Sequence, residues 1–311
     1  MLKILVTGVN GFVGQHVSRE LKSSGHYVVG VGGSHGAKNP SVEVEEYHEL
    51  DLRNAEEAKR IDFATIDAVI HLAGLAAVGP SFDNPLEYIS TNIGIEINLF
   101  EAAIKQKATP RFLVISSGSL YDSKAELPLT ETSRVTPNSP YAVSKLGQEQ
   151  MGFYYAQRGF EVMVARPFNH IGPGQNPGFL VPDLTQQIIA CEQGRIDTVA
   201  VGNLAAQRDY TDVRDIAIAY RLLLEKGRSG EVYNICSHKP VSGKAILDMI
   251  LKAVGGNVKI VEDPARMRPA DTPVIEGSYD KLRNDTGWEP RIVLEKTIQD
   301  VVDDWRNRPK V

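Results

Sequence analysis

Between the apolar run Ile4-Leu5-Val6 and the helical pattern of Gln15 to Leu21 stands the segment Gly8-Val9-Asn10-Gly11-Phe12-Val13-Gly14. A glycine turn that ends a strand and opens a helix constrains the fold strongly. It lets the backbone double back tightly and lets an anion approach the free N–H groups of the helix. The spacing G-x-x-G-x-x-G is weak evidence alone and becomes informative in this strand-turn-helix setting.

Further short β-rich runs follow at Val28-Val29-Gly30-Val31, Ala68-Val69-Ile70-His71-Leu72, Phe112-Leu113-Val114-Ile115, Val162-Met163-Val164-Ala165 and Val232-Tyr233-Asn234-Ile235, with helical patterns between them. Such alternation implies βαβ units and a buried parallel sheet. The expected class is α/β, a Rossmann-type doubly wound parallel sheet with a smaller C-terminal substrate-binding domain. After Arg166-Pro167 the loop-forming cluster Gly172 to Gly178 leads into a helical pattern at Val181 to Glu192, and two more helical patterns occupy Ser242 to Val254 and Leu294 to Trp305. The expected division is residues 1–168 and 199–236 for a dinucleotide-binding domain, and 169–198 and 237–311 for the substrate-binding one.

At 311 residues the chain can bury its core without staples, and Cys191 and Cys236 lie too far apart in sequence to suggest a metal site or a disulfide framework. A net charge of -5 argues against general nucleic-acid binding. The charged segment Glu43 to Asp51 reads as a solvated connection. No apolar run approaches the roughly 20 residues of a membrane span. Because Met1 leads directly into a strand, the expected location is the cytoplasm.

Within the dinucleotide site, Gly8, Asn10, Gly11, Phe12, Val13 and Gly14 form the expected pyrophosphate turn. A site that prefers NAD usually places a carboxylate after the second strand to accept from the ribose hydroxyls. Here Gly32-Gly33-Ser34-His35 stands there, so Ser34 could donate to a 2′-phosphate, and the expected cofactor is NADP(H), with NAD(H) possible. Asp51 and Leu52 are placed to meet the adenine, although Asp51 could equally cap the next helix. Leu72, Ala73 and Gly74 would lie against the cofactor, His71 reads as a packed strand histidine, and Asn92 as a structural tie.

The sharpest signal is Tyr141-Ala142-Val143-Ser144-Lys145. Ser139 as cap and Pro140 as first helical residue put Tyr141 and Lys145 one turn apart on one helix face. A neighbouring ammonium is expected to lower the phenol's pKa. Upstream, Ile115-Ser116-Ser117-Gly118-Ser119-Leu120-Tyr121 ends a strand with hydroxyls at the expected cleft. Together these motifs resemble the extended short-chain dehydrogenase/reductase family over essentially the whole chain. The resemblance implies Ser117 as the hydroxyl that polarises a sugar carbonyl, Tyr141 as proton donor or acceptor, and Lys145 as pKa modulator and ribose ligand.

Sugar-nucleotide dehydratases of that family carry a Glu, often preceded by an Asp, where this chain has Ser119 and Gly118, so elimination lacks its acid or base. Segments Ala165 to Gln175, Val232 to Ser237, Asp263 to Arg268 and Thr286 to Pro290 are similar to bacterial GDP-6-deoxy-D-mannose reductases. That resemblance implies a nucleotide-sugar 4-reductase using GDP-4-keto-6-deoxy-D-mannose, working as a homodimer through helices near Glu87 to Lys105 and Tyr141 to Gln157. Its substrate residues would be Ser117, Ser119, Asn169, Arg208 and Arg268, the arginines chelating the diphosphate. Gly74 to Gly79 with Pro85 to Tyr88 is instead similar to UDP-galactose 4-epimerases, which leaves a 4-epimerase as the alternative. A dinucleotide-binding regulator without turnover is a third reading, against which the complete Ser117, Tyr141 and Lys145 set argues.

Overall fold

In the computed structural model, which describes residues 1–33, 42–255, 258–266 and 272–308, the first strand shows how the core is built. Along β1 (Lys3–Thr7), Ile4 and Val6 enter one apolar cluster while Leu5 enters another on the opposite face. Successive strand side chains point to opposite faces, so a continuous apolar run is what a doubly covered strand requires. Then come α1 (Phe12–Ser23), β2 (Tyr27–Gly32), β3 (Glu46–Glu49), the short α2 (Ala55–Ala58), β4 (Ala68–His71), the short α3 (Val78–Ser81), α4 (Pro85–Lys105), β5 (Arg111–Ile115), α5 (Pro140–Gln157) and β6 (Val162–Pro167). The same alternation recurs in β5, where Leu113 goes one way and Phe112 and Val114 the other.

The chain continues through β7 (Asn169–Ile171), α6 (Leu180–Glu192), β8 (Thr198–Val201), β9 (Gln207–Asp212), α7 (Val213–Lys226), β10 (Val232–Ile235), β11 (Pro240–Ser242), α8 (Gly243–Val254), β12 (Lys259–Glu262), α9 (Asp280–Thr286) and α10 (Leu294–Asn307). Seven strands make one sheet in the order β10-β6-β5-β4-β1-β2-β3, and every pairing is parallel. The chain starts at β1, winds outward to β3 and returns to β4 on the other side of β1. A crevice therefore opens at the carboxyl ends of β1 and β4, the switch point where doubly wound sheets bind ligands. The expected fold class holds.

α1 and α7 cover one face through Val17, Leu21, Ile216 and Tyr220. α4 and α5 cover the other, where Phe100 stacks on Phe112 and Tyr155 with centroids 4.0 and 4.2 Å apart. A separate cluster joins α6, α8 and α10 through Val181, Ile188, Ile246, Ile250, Ile298 and Val302. Beside it lie a three-stranded sheet, β11-β9-β7, and the pair β12-β8. The chain also returns to the large sheet, for Leu282 and Trp288 join its core and the Trp288 indole donates to the Asp215 carbonyl at 2.9 Å.

One expectation needs correction. Part of the charged segment Glu43 to Asp51 is strand β3, paired in parallel with β2. Glu46 is tied to Lys3 at 3.0 Å and to the Tyr27 hydroxyl at 2.8 Å, while Glu49 is exposed. Charges on such an edge strand protect its open side from pairing with another chain.

Candidate active site

The glycine turn is shaped by what lies against it. Gly8 has φ +68°, and a Cβ there would stand 2.8 Å from the Ala73 backbone nitrogen, so the turn rests directly on the chain leaving β4. A Cβ on Gly14 would come within 2.5 Å of the Gly8 carbonyl oxygen. Gly11 occupies the N-cap position of α1 without a side-chain cap, and the first turn carries no acidic residue. The leading N–H groups of a helix have no intrahelical acceptor, which makes this end a cradle for a diphosphate. Phe12 and Val13 open the helix, and Phe12 stacks on His170, with centroids 6.1 Å apart.

Around that turn, the Asn10 amide donates to the Tyr47 hydroxyl at 2.8 Å, an approach that Gly32 permits by having no side chain. Thr7 bonds His71 Nδ1 at 2.9 Å and accepts from Ala73 N–H at 3.2 Å, joining the ends of β1 and β4. His71 is buried and its pKa is pushed down to about 3 by desolvation, so it is a neutral packed histidine. Gly74, at φ +152°, makes room for Asn92 Oδ1, which accepts from Leu75 N–H at 2.7 Å, while the Asn92 amide donates to Ser144 Oγ at 2.8 Å. Asn92 is thus the expected structural tie.

Asp51 binds Arg53 through both carboxylate oxygens, and Leu52 is buried. Asn54, rather than Asp51, caps α2. Ser34 and Arg268 lie outside the described residues. A Gly14→Ala substitution is expected to weaken NADPH binding at least tenfold, since the methyl meets backbone oxygens that cannot rotate away. Fluorescence titration with the dinucleotide measures this.

Helix α5 starts as its sequence suggests. Ser139 Oγ accepts from Ala142 N–H at 3.2 Å, and Pro140 fills the first helical position. Tyr141 and Lys145 are both buried, and the Ser117 hydroxyl lies near enough to the Tyr141 phenol to favour its ionised form. Ser117 Oγ also lies 2.9 Å from Ser119 Oγ and accepts from Ser119 N–H at 3.1 Å. The Lys145 ammonium donates to the Ile115 carbonyl and to Gln148 Oε1, each at 2.9 Å.

The electrostatics correct one expectation. Burial raises the Tyr141 pKa above its ordinary value, and the nearby Ser117 hydroxyl only partly opposes this. Lys145 Nζ is 6.0 Å from the phenol ring centre and is occupied by Ile115 and Gln148, so it does not reverse the effect of burial. Lys145 itself is pushed down to about 8 by desolvation, with Glu96 and Glu149 pulling the other way. The site therefore holds a protonated phenol.

Next to these groups opens a cleft of about 530 Å³ between the α3 region and the second lobe. Asn169, Arg208 and Tyr210 line it, as do Gln175, Phe179 and Asn203. Ser117 and Tyr141 do not line it. The link between them is Phe168, which precedes Asn169 and against which a Cβ on Gly118 would press at 2.9 Å. That packing leaves no room for an aspartate at position 118. The Arg208 guanidinium donates to the Gln207 and Thr272 carbonyls at 2.7 Å, and Arg266, which the sequence reading passed over, also lines the cleft. Asp212 caps α7 and, with Arg214, pairs within the fold.

A family model described as GDP-mannose 4,6 dehydratase matches residues 5–301. The chain is 34% identical to GDP-6-deoxy-D-mannose reductase of Pseudomonas aeruginosa, over 98% of each protein. It is 30% identical to UDP-glucuronate 4-epimerase of Thermodesulfobacterium geofontis, over 96% of this chain and 94% of that protein. Among solved structures, RMD from Pseudomonas aeruginosa complexed with NADPH superposes with a TM-score of 0.89 at 33% identity, covering 99% of this chain and 100% of that one. UDP-glucose 4-epimerase from Thermotoga maritima with UDP-glucose also gives 0.89, at 28% identity, covering 98% and 99%. No helix among the described residues is long and apolar enough to cross a membrane. The chain belongs to the GDP-mannose 4,6-dehydratase family, within the short-chain dehydrogenase/reductase superfamily.

Proposed function

We propose that this protein is an NADPH-dependent nucleotide-sugar 4-reductase that converts GDP-4-keto-6-deoxy-D-mannose to GDP-D-rhamnose. The observation that carries the reading is the end-to-end match to a GDP-6-deoxy-D-mannose reductase, with Ser117, Tyr141 and Lys145 assembled and no carboxylate at Gly118 or Ser119. The glycine cradle at Gly8 and Gly14 fits a dinucleotide, with NAD(H) a weaker substitute. When bound, NADPH supplies a hydride to the sugar C4. Ser117 donates a hydrogen bond to the C4 oxygen, and Tyr141 passes its phenolic proton to that oxygen as the C=O bond becomes an alcohol. Prepositioned donors of this kind stabilise charge that develops in the transition state. Lys145 would hold the cofactor ribose, and its charge would favour the phenolate until solvent returns the proton.

Asn169, Ser119, Arg208 and Arg268 serve the sugar diphosphate, and Arg266 joins them. The expected boundary at residue 199 moves to about 213, because β8 pairs with β12 and β9 with β7 and β11 in the substrate lobe, while Leu282 and Trp288 pack in the core of the cofactor lobe. The exposed apolar residues Leu86, Val143 and Tyr154 on α4 and α5 support a homodimer through those helices. The enzyme works in the cytoplasm. Epimerase relatives favour a second reading, in which the hydride returns to the same sugar. Identifying the sugar product by NMR after incubation with NADPH separates the two.

A pH dependence follows from Lys145. As pH rises through about 8 the ammonium loses its proton, so kcat/KM is expected to fall on that alkaline limb. A steady-state pH profile tests this.

A further inference from the structure

The seam between α4 and α5, behind Lys145, contains a carboxyl group that the reaction scheme leaves unused. Glu96, in the middle of α4, is 0% exposed, and neither of its carboxyl oxygens has a hydrogen-bond partner. Across the seam Gln148 is also buried. Its Oε1 accepts from Lys145, which leaves Nε2 with two N–H groups and no acceptor. An orphaned acceptor and an orphaned donor thus share one dry seam, and buried polar groups are costly to leave unpaired. Gly152 lines the seam, where a Cβ would stand 3.7 Å from Glu96 Oε1, at ordinary contact, and 3.2 Å from a Val162 methyl.

The surroundings leave Glu96 one productive partner. Val114 of β5 and Val162 of β6 wall the seam with methyl groups. Glu149 of α5 is committed to Arg166 of β6 through two bonds of 2.7 Å. His71 of β4 is neutral and bonded to Thr7, and the Tyr141 phenol is kept protonated by burial. Among the described residues around the seam, Lys145 is the positive charge not already neutralised. Burial lifts the Glu96 carboxyl well above its usual range, while the nearby Lys145 charge and Gln148 amide oppose that rise. Glu96 in turn heads the influences that help Lys145 keep its proton against burial. Two groups coupled in this way titrate as a pair.

We propose that Glu96 is a positioning residue for Lys145, its carboxyl orienting the Gln148 amide and sustaining the positive charge of the lysine. Gln148 is the link, with Oε1 on the ammonium at 2.9 Å and Nε2 near the carboxyl without a formed hydrogen bond. Glu96 touches neither cofactor nor substrate. Its effect on the reaction is to set the pH at which Lys145 stops supporting Tyr141 and the ribose.

The proposal rests on the reductase reading for its kinetic test and on cofactor binding for an independent one. In Glu96→Gln, an isosteric change, the alkaline limb of kcat/KM is expected to move down by about one pH unit, the size of effect a single nearby charge produces. Turnover well below the limb should change little. NADPH affinity, titrated by fluorescence over roughly pH 6 to 10, should lose its alkaline arm at correspondingly lower pH. Gln148→Met removes the link at similar volume and should move both limbs in the same direction, and it decides the matter if Glu96→Gln does not fold. Limbs that stay in place in the folded variants would overturn the proposal and leave Glu96 as packing. If the unsubstituted protein turns over no 4-keto sugar, the functional reading fails, while the NADPH titration still judges Glu96.

Discussion

Tyr141→Phe is expected to lower turnover by about 100- to 10,000-fold, the usual contribution of general acid–base catalysis, with NADPH affinity within about threefold of the parent protein. The phenol holds its proton because it is buried, which suits an acid that must deliver that proton to a developing alkoxide. Phenylalanine preserves the ring and its packing but has no proton to give. The diphosphate cradle at Gly8 and Gly14 belongs to another part of the crevice, so binding should survive. Stopped-flow or steady-state NADPH oxidation, with a parallel dinucleotide titration, measures both quantities. Near-parental turnover in this variant would remove Tyr141 from the mechanism.

Glu149→Gln should destabilise the fold by about 3–5 kcal/mol, the range for breaking a buried ion pair by deleting one partner. Arg166 and Glu149 are 5% and 1% exposed and meet through two bonds of 2.7 Å. The guanidinium also donates to the Tyr121 hydroxyl at 3.1 Å, which donates to Asn234 Oδ1 at 2.6 Å. The loss strands an arginine whose charge cannot be shed, at the point where α5, β6 and β10 are cross-linked. Replacing both partners by methionine should cost less than the single change, because no charge is then left alone. Urea unfolding midpoints give the comparison, and a single variant as stable as the double would contradict it.

How far the site could be read in advance follows from how local its signals are. Ile4-Leu5-Val6 announces a doubly buried strand because every residue of the run is apolar. Tyr141 and Lys145 announce a shared helix face because four residues make about one turn. The bounds of edge strand β3 are hard to read because Glu46, His48 and Glu49 meet solvent or ion-pair partners while Tyr47 packs on the core, so no apolar alternation marks it. β7 and β11 are only three residues long, too short for any period to emerge. Arg266 sits in the same segment as Arg268 and carries the same signal, and only the folded cleft shows it lining the wall. The sign of the Tyr141 shift depended on burial and on where the lysine's hydrogen bonds go, neither of which is encoded in the Tyr-Lys spacing.

The central claim is tested most directly by supplying purified protein with GDP-4-keto-6-deoxy-D-mannose and NADPH and counting both. One equivalent of NADPH should be consumed per sugar reduced, with GDP-D-rhamnose as product, and UDP-glucose and UDP-galactose should not interconvert. Epimerisation of the UDP-sugars without added cofactor, or release of a sugar with no NADPH consumed, would contradict the reductase account.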